Sequence, residues 1–368
     1  MYPLSGDGGT RPRPRPLQTT VSLGSFSQLG KLRRPHPESY SLLLTPAEDS
    51  SGTLVFHPPT STSLGPLSNL NGFASTLTID LCQKQSCSKQ LDLSPGDSRK
   101  SAAMDVASLF NVKDKNILVT GGAKGIGYMI SEGYITNGAT VYISSRDAKA
   151  CSASAAALTQ KGPGKCYAIP ADLQKLDDCK RLVDELSKQT GGKLHVLVNN
   201  SGAAWGDAFE TYPDAAWTKL LTLNLQRVFT LTQLAAPLLE AASGAGAGDP
   251  SRIINIGSVD GLRVPLISSY AYSASKAGLH HLSRALAREL GPKGITSNTL
   301  ACGPFESKMM AATLETMRDT IEEEIPMRRI GTPQDVAGAC LFLSGRAGAF
   351  VTGATITVDG GIVLASKL

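Results

Sequence analysis

A tyrosine and a lysine four residues apart are the clearest candidates for chemistry in this chain. Tyr272 and Lys276 begin a stretch that is predicted to be helical as far as about Leu290, and a spacing of four places both side chains on one face. A free phenol has a pKa of about 10, and a nearby cation lowers that pKa towards the range in which a proton can be exchanged. The pair therefore predicts a general acid or base, although on an exposed helix the same spacing also occurs as a simple surface contact.

A serine hydroxyl is the second candidate. Ser258 lies at the end of a run of apolar residues that is predicted to be the fifth strand, and ligands bind at the carboxyl edge of parallel sheets. A hydroxyl in that place can hold a carbonyl oxygen while negative charge develops on it. Tyr270 is a poorer candidate than Tyr272, because an alanine, Ala274, stands four residues after it.

A glycine-rich segment follows the first predicted strand and opens a helix. Its spacing, Gly-x-x-x-Gly-x-Gly, lets the backbone turn tightly and approach a pyrophosphate at the helix N-terminus. Such a segment can be a purely structural turn, but its position in the first βα unit favours dinucleotide binding. The predicted cofactor contacts in this segment are Gly121, Lys124, Gly125, Ile126 and Gly127.

The charges after the second predicted strand favour NADP(H) over NAD(H). An acid at the tip of this strand would bind a ribose 2′-hydroxyl and repel a 2′-phosphate. Here the strand ends at Ser145 and Arg146, and the guanidinium offers a forked donor that matches a phosphate. Lys124 adds a second positive charge. Asp147 follows at once, which keeps open the alternative that both cations are simply solvated.

The elements that must position these residues alternate in type. Short apolar, β-branched runs are separated by helical stretches, which predicts βαβ units around a parallel sheet buried on both faces. The fold class is therefore α/β, a single Rossmann-type doubly wound parallel sheet domain over residues 104–368. The predicted strands are 116–120, 140–145, 165–169, 194–198 and 252–256, and the predicted helices include 126–136, 176–188 and 217–239.

Residues 1–103 differ in composition from the rest of the chain. They hold 11 of the 21 prolines and many serines and threonines, with apolar residues only in short bursts. Such a segment buries too little apolar area to offset the entropy of ordering, so we predict a disordered N-terminal extension. Its Arg-rich start loosely resembles a mitochondrial transit peptide, but the prolines oppose the helix that such peptides form. A further alternative is that the working protein starts at Met104.

Composition excludes several classes of protein. The 368 residues are 41% hydrophobic and 18% charged, without a run of about 18 apolar residues, so we expect no membrane span. A net charge of +5 without basic clusters gives no reason to expect nucleic acid as a partner. The seven cysteines form no Cys-x-x-Cys pair, so we predict neither a disulfide scaffold nor a metal site.

The ordered set of motifs from about Val112 to Val363 resembles the short-chain dehydrogenase/reductase family, and most of all its rhamnolipid-biosynthesis type of 3-oxoacyl-acyl-carrier-protein reductase. Each motif alone is common, but the whole set in this order is specific. The matching features after the glycine-rich segment are Asp172-Leu173, Asn199-Asn200-Ser201-Gly202, Asn224, Ser258, Tyr272 with Lys276, the segment 331–337, and the segment 358–361.

This resemblance implies a role for each matching residue. Tyr272 would be the general acid in ketone reduction, and Lys276 would bind the nicotinamide ribose and lower the pKa of the tyrosine. Ser258 would orient the substrate carbonyl, and Asn224 would hold a water that relays protons to the lysine. The implied cofactor contacts further along the chain are Asp172 and Leu173 near the adenine, Asn199 beside the ribose, and Gly303, Phe305 and Ser307 near the carboxamide.

One departure from the family pattern lies in the last of these segments. Relatives usually read Pro-Gly after the sixth strand, whereas this chain reads Cys302-Gly303-Pro304, so the loop over the nicotinamide can follow another path. Cys302 lacks a histidine in the adjacent motifs, which favours a packed thiol over a nucleophile. The apolar residues of the segment 304–326 are expected either to cover an apolar substrate as a lid or to pack on the core as ordinary amphipathic helices.

The implied activity is NADP(H)-dependent reduction of a ketone to a secondary alcohol, on a 3-oxoacyl thioester or a polyketide-like chain. Peroxisomal 2,4-dienoyl-CoA reductases share the fold but lack the Tyr-x-x-x-Lys arrangement, which favours a carbonyl over a conjugated double bond. The alternatives are a secondary-metabolite or steroid carbonyl reductase, a catalytically silent NADP-binding regulator, and an interaction protein that acts through its Pro/Arg-rich N-terminal segment.

Location and assembly are further expectations. Ser366-Lys367-Leu368 matches the peroxisomal address, so a peroxisomal import receptor is an expected partner. A cytoplasmic location is the alternative, and a mitochondrial one is less favoured. The resemblance implies a homodimer or homotetramer.

Overall fold

A computed structural model describes residues 104–244, 248–265 and 267–365 of the chain. The predicted extension 1–103 and the tripeptide Ser366-Lys367-Leu368 lie outside these described residues. Because the structure is that of one chain, the predicted homodimer or homotetramer and the contact with an import receptor stay predictions. No helix in the described ranges is long and apolar enough to cross a membrane.

Seven parallel strands form one sheet in the order β3-β2-β1-β4-β5-β6-β7. The chain runs from β1 towards one edge and then returns to continue from β4 towards the other, so the carboxyl ends of β1 and β4 border a crevice where ligands bind in such sheets. The predicted α/β, doubly wound fold is confirmed. The strands are β1 Asn116–Thr120, β2 Thr140–Ser144, β3 Lys165–Ala168, β4 Val196–Asn199, β5 Ser251–Ile256, β6 Ile295–Cys302 and β7 Thr355–Val358.

Helices cover both faces of this sheet. Ile117 and Val119 point into one apolar cluster with α2, α3 and α9, while Leu118 between them points into a second cluster with α4, α6 and α7. This double burial explains why the strands are continuous apolar runs rather than alternating ones. The helices are α1 Val106–Leu109, α2 Gly125–Thr136, α3 Ala148–Thr159, α4 Leu176–Thr190, α5 Asp214–Leu221, α6 Arg227–Ala242, α7 Tyr270–Leu290, α8 Ala311–Glu324 and α9 Pro333–Ser344.

The structure interrupts one helix that the sequence predicts as continuous. Instead of a single helix over 217–239, α5 and α6 are joined by a π-helical turn, Thr222–Gln226. Its centre, Asn224, is buried, and its side-chain amide accepts from the N–H and donates to the carbonyl oxygen of Ala203 in the loop after β4. These two hydrogen bonds help to stabilise the irregular turn. π turns of this kind are typical of functional sites.

Candidate active site

Tyr272 and Lys276 meet at the beginning of α7, as the sequence predicts. The Lys276 Nζ lies 5.6 Å from the centre of the Tyr272 ring, and the lysine is 5% exposed. Its ammonium donates a hydrogen bond of 2.7 Å to the backbone carbonyl of Ile256 at the end of β5. The bond ties the pair to the carboxyl edge of the sheet.

Ser258 completes a cluster of three polar side chains at this edge. It follows β5, and its hydroxyl accepts a hydrogen bond of 3.1 Å from the Asp260 N–H and lies close enough to the Tyr272 phenol to lower the pKa of that phenol. The two hydroxyls therefore converge, so that one oxygen atom of a ligand can contact both of them.

The pKa of Tyr272 does not follow the sequence-based expectation. Burial raises this pKa well above its usual range, the hydrogen bond from Ser258 lowers it by less, and the nearby Asp260 carboxylate raises it further. The phenol is therefore protonated at neutral pH. A protonated phenol is the form that a general acid requires, but the raised pKa makes it a weaker acid until its phenolate is stabilised.

Burial also changes the pKa of Lys276. Removal from water penalises the charged ammonium and lowers the pKa of Lys276 to about 8, although Cys302 and Asp260 act in the opposite direction. The amine consequently changes its charge within an accessible pH range.

Asn224 lies close to the same cluster. Its Nδ2 donates to the Ser275 hydroxyl at 3.0 Å, one residue before Lys276. A Cβ built on Gly202 would lie 3.3 Å from the Asn224 Oδ1 and 3.8 Å from the Lys276 Nζ. All four predicted catalytic side chains are thus brought together. Because Gly202 has no side chain, the space between Asn224 and Lys276 stays open.

The glycine-rich segment has the geometry of a cradle for a phosphate group. Gly121 and Gly125 have φ angles of 65° and 55°, a region that other residues adopt only under strain. A Cβ on Gly127 would overlap the Asn200 side-chain amide and the carbonyl oxygen of Gly121. Lys124 is the exposed N-cap residue of α2, and Ile126 packs against the core beneath the turn.

Asn200, which belongs to a matching motif but has no role predicted from the sequence, holds this cradle in place. Its side-chain amide donates to the carbonyl oxygens of Thr120 and Gly121, at 2.8 and 3.3 Å, while the Thr120 hydroxyl accepts from the Asn200 N–H at 2.9 Å. The neighbouring Asn199 points the other way, into a buried network with Thr232 and Asn255. The side chain of Asn199 therefore braces the sheet, and a contact with a ribose is left to its backbone.

The tip of β2 presents a cation. Arg146 is exposed, whereas the Asp147 carboxylate turns back and accepts a hydrogen bond of 3.0 Å from the Ala150 N–H as the N-cap of α3. The Ser145 hydroxyl donates to the Asp147 carbonyl. The Asp147 carboxylate is thus engaged as a helix cap, and the Arg146 guanidinium stays available as an exposed donor.

The remaining predicted contacts are divided between surface and core. The Asp172 carboxylate lies after β3 and accepts from the Gln174 N–H, while Leu173 is buried in the core. The Phe305 ring is also buried, packed on Gly331. Two predicted contacts remain. Gly303 donates its N–H to β7, and Ser307 lies beside the glycine-rich segment, since a Cβ built on Gly125 would lie 3.1 Å from the Ser307 Cβ. The loop after β6 thus reaches the cradle, although the Phe305 ring itself is buried in the core.

Cys302 is a packed thiol, as predicted. It is 4% exposed, and burial raises the pKa of its thiol to about 12, so that it carries no charge at neutral pH. Helix α8, within the predicted lid segment, buries Leu314 against a small apolar cluster with Ile325 and Ile362.

A doubly wound sheet with a phosphate cradle after β1 and a Tyr–Lys–Ser cluster after β5 defines a Rossmann-type dinucleotide-binding oxidoreductase. Comparisons with known proteins agree with this class. A family model described as enoyl-(acyl carrier protein) reductase matches residues 121–363. The chain belongs to the short-chain dehydrogenase/reductase family.

Three relatives illustrate this membership. The rhamnolipids biosynthesis 3-oxoacyl-[acyl-carrier-protein] reductase of Pseudomonas aeruginosa is 42% identical over 257 residues, which are 69% of this chain and 98% of the relative. The acetoacetyl-CoA reductase of Allochromatium vinosum is 36% identical over 249 residues, 67% of this chain and 98% of that protein. The solved RhlG/NADP active-site complex of Pseudomonas aeruginosa has a TM-score of 0.67 at 41% identity, covering 70% of this chain and 99% of that one.

Proposed function

We propose that this chain reduces the ketone of a 3-oxoacyl thioester to a secondary alcohol with NADPH as the hydride donor. The single observation that carries the proposal is the convergence of the Tyr272 and Ser258 hydroxyls beside Lys276. Relatives that are named as reductases of 3-oxoacyl-acyl-carrier-protein and of acetoacetyl-CoA support the choice of substrate class.

The cofactor of this oxidoreductase is NADP(H), and the residues present fit it. The glycine cradle with its positive φ angles would hold the pyrophosphate at the N-terminus of α2. Arg146 and Lys124 would bind the 2′-phosphate, since Asp147 is engaged as a helix cap. When bound, NADPH supplies the hydride.

Four side chains carry out the proton transfer and hold the substrate and the cofactor. Tyr272, protonated because it is buried, donates its proton to the carbonyl oxygen as that oxygen becomes negative. Ser258 holds the same oxygen in place. Lys276, as an ammonium, binds ribose hydroxyls and stabilises the phenolate that is left after proton transfer. Asn224, held by the backbone of Ala203, orients a water molecule that returns a proton towards Lys276.

A comparison of two thioesters tests the proposal. Acetoacetyl-CoA and crotonyl-CoA have acyl chains of the same length and differ in offering a ketone or a conjugated double bond. We expect oxidation of NADPH, followed by its absorbance, with acetoacetyl-CoA and not with crotonyl-CoA. Tyr272 and Ser258 would meet an oxygen on the carbon that accepts the hydride, and in crotonyl-CoA that carbon carries no oxygen. The reverse preference would overturn the proposal and favour the activity in the family model's description.

Two further substrates separate the rival functions. Turnover of a keto-steroid or an aromatic polyketide ketone, with acetoacetyl-CoA inert, would favour a carbonyl reductase of secondary or steroid metabolism. Tight binding of NADPH without turnover of any ketone would favour a silent regulator. NADH run in parallel with each substrate determines the cofactor preference in the same experiment.

Reversing the charge at Arg146 should change the cofactor preference. In Arg146→Glu we expect the KM for NADPH to rise about tenfold or more while the KM for NADH changes little, because a carboxylate repels the 2′-phosphate and NADH lacks that group. Steady-state kinetics with both cofactors measure the effect. Lys149→Glu, an equal change of charge on the exposed side of α3, is the matched control. Equal losses with both cofactors would contradict the assignment.

The lowered pKa of Lys276 predicts a limit at alkaline pH. The amine is charged below its pKa, so kcat/KM for reduction should be constant at neutral pH and fall as the pH rises through about 8. A series of initial rates from pH 6 to 10 measures this. Lys276→Arg, which keeps its charge, should lose that decline even if its rate is lower. A flat profile of the unaltered chain up to pH 10 would contradict a rate that depends on a lysine losing its charge near pH 8.

A further inference from the structure

A buried histidine lies directly beneath the serine of the site. His280 is 2% exposed and follows Lys276 by one turn of α7. Its Nε2 lies 3.4 Å from the backbone nitrogen of Ser258 and accepts a hydrogen bond from it. Because a backbone N–H can only donate, Nε2 must be the unprotonated nitrogen, and the ring proton then lies on Nδ1.

Two glycines provide the space for this ring. A Cβ on Gly257 would overlap the His280 Nε2 and lie 2.9 Å from its Cδ2, and a Cβ on Gly261 would lie 2.9 Å from its Cε1. These glycines bracket the segment that carries Ser258. The imidazole therefore contacts the segment on both sides of the serine, and its position determines where the serine backbone lies.

The surroundings keep the ring neutral. Burial lowers the pKa of His280 to about 4, and the charges of Lys276 and Arg284 act in the same direction. Protonation would place a donor at Nε2 against the donor of Ser258 and a second positive charge one turn from Lys276. A neutral acceptor is thus the state that suits both neighbours.

We propose that His280 is a positioning residue that holds the backbone amide of Ser258 and thereby aims the serine hydroxyl at the substrate carbonyl. This inference rests on the proposed function of Ser258. The hydroxyl already accepts from the Asp260 N–H and pairs with Tyr272, so a shift of the Ser258 backbone changes the distance between the two hydroxyls that meet the carbonyl oxygen.

Three variants test the proposal with acetoacetyl-CoA, or with the most active ketone of the panel above. His280→Leu keeps the volume but removes the acceptor, and we expect kcat to fall on the order of tenfold while the affinity for NADPH, measured by its fluorescence, stays unchanged. His280→Gln places an amide oxygen near the position of Nε2 and should restore most of kcat. His281→Leu, on the exposed neighbour, is the matched control and should behave like the unaltered chain.

The same set of variants can overturn the proposal. An unchanged kcat in His280→Leu, or equal losses in the leucine and glutamine variants, would show that the acceptor atom has no part in orienting the serine. A parallel loss of NADPH affinity in His280→Leu would indicate general damage to the fold and would likewise count against a positioning role.

A measurement that needs no turnover separates this inference from the proposed function. Nitrogen-15 spectra of the imidazole, assigned by the signal that disappears in His280→Gln, should show a neutral ring protonated on Nδ1. A ring protonated on Nε2 cannot accept from Ser258 and would refute the contact. If no ketone is reduced, the proposed function fails, and the tautomer still decides whether His280 holds the Ser258 amide.

Discussion

Replacing Tyr272 by phenylalanine should lower kcat for ketone reduction by roughly 10²- to 10⁴-fold. The change removes one oxygen from a partly buried ring and leaves the apolar contacts of the ring in place. It deletes the proton donor and also the hydrogen-bond partner of the Ser258 hydroxyl. Kinetics with NADPH and acetoacetyl-CoA measure the loss. The affinity for NADPH should stay within about threefold, because the phosphate cradle lies after β1 and is untouched.

The chain offers a close control for this experiment. Tyr270 lies two residues earlier in the same helix, is 38% exposed, and packs its ring against Tyr212 with centroids 5.2 Å apart. Tyr270→Phe makes the same chemical change outside the cluster of polar groups and should retain near-normal kcat. Retained turnover in Tyr272→Phe would rule out the phenol as the proton donor, whereas equal losses in both variants would point to damage of α7 rather than to chemistry.

Adding one methyl group at Gly127 should abolish most of the affinity for NADPH. In Gly127→Ala the new Cβ overlaps the Asn200 amide and the Gly121 carbonyl oxygen, so either the bond from Asn200 or the turn itself must give way. We expect NADPH binding to weaken at least about tenfold and the free energy of unfolding to fall by about 1–3 kcal/mol. Fluorescence titration with NADPH and denaturant unfolding measure the two effects.

A second glycine separates crowding from the general effect of the substitution. Gly338 lies in α9 with no atom within 4 Å of a Cβ built on it. Gly338→Ala should leave NADPH binding unchanged and raise stability slightly, since alanine favours a helix over glycine by about 1 kcal/mol. Normal NADPH affinity in Gly127→Ala would show that the cradle does not bind the cofactor as described.

Much of the fold could be predicted because local patterns and tertiary burial agree. The strands are buried on both faces, so they are continuous apolar runs, and the observed strand β1, Asn116–Thr120, coincides with its predicted range. The approach of Lys276 to Tyr272 follows from helical spacing alone. Patterns of this kind depend on neighbours within a few residues of the chain.

Other features depend on contacts between distant segments. The π turn at Asn224 exists because its amide meets Ala203, 21 residues away, and no local pattern shows this. The raised pKa of Tyr272 comes from burial and from Asp260, whereas the spacing suggested only the influence of Lys276. The two glycines around Ser258 are a weak sequence signal for His280, because they indicate that a bulky group packs against this segment. Only the folded structure shows that this group is the His280 ring.

The π turn also constrains the length of the chain. Each residue in an α-helix advances the side chains by about 100°, and the π turn already accommodates one extra residue. Gain of a further residue between Leu220 and Val228, both buried, would therefore rotate the whole of α6 about its axis. Apolar residues such as Leu231 and Leu239 would then face water. Lengthening this stretch would therefore require one side of the sheet to be repacked.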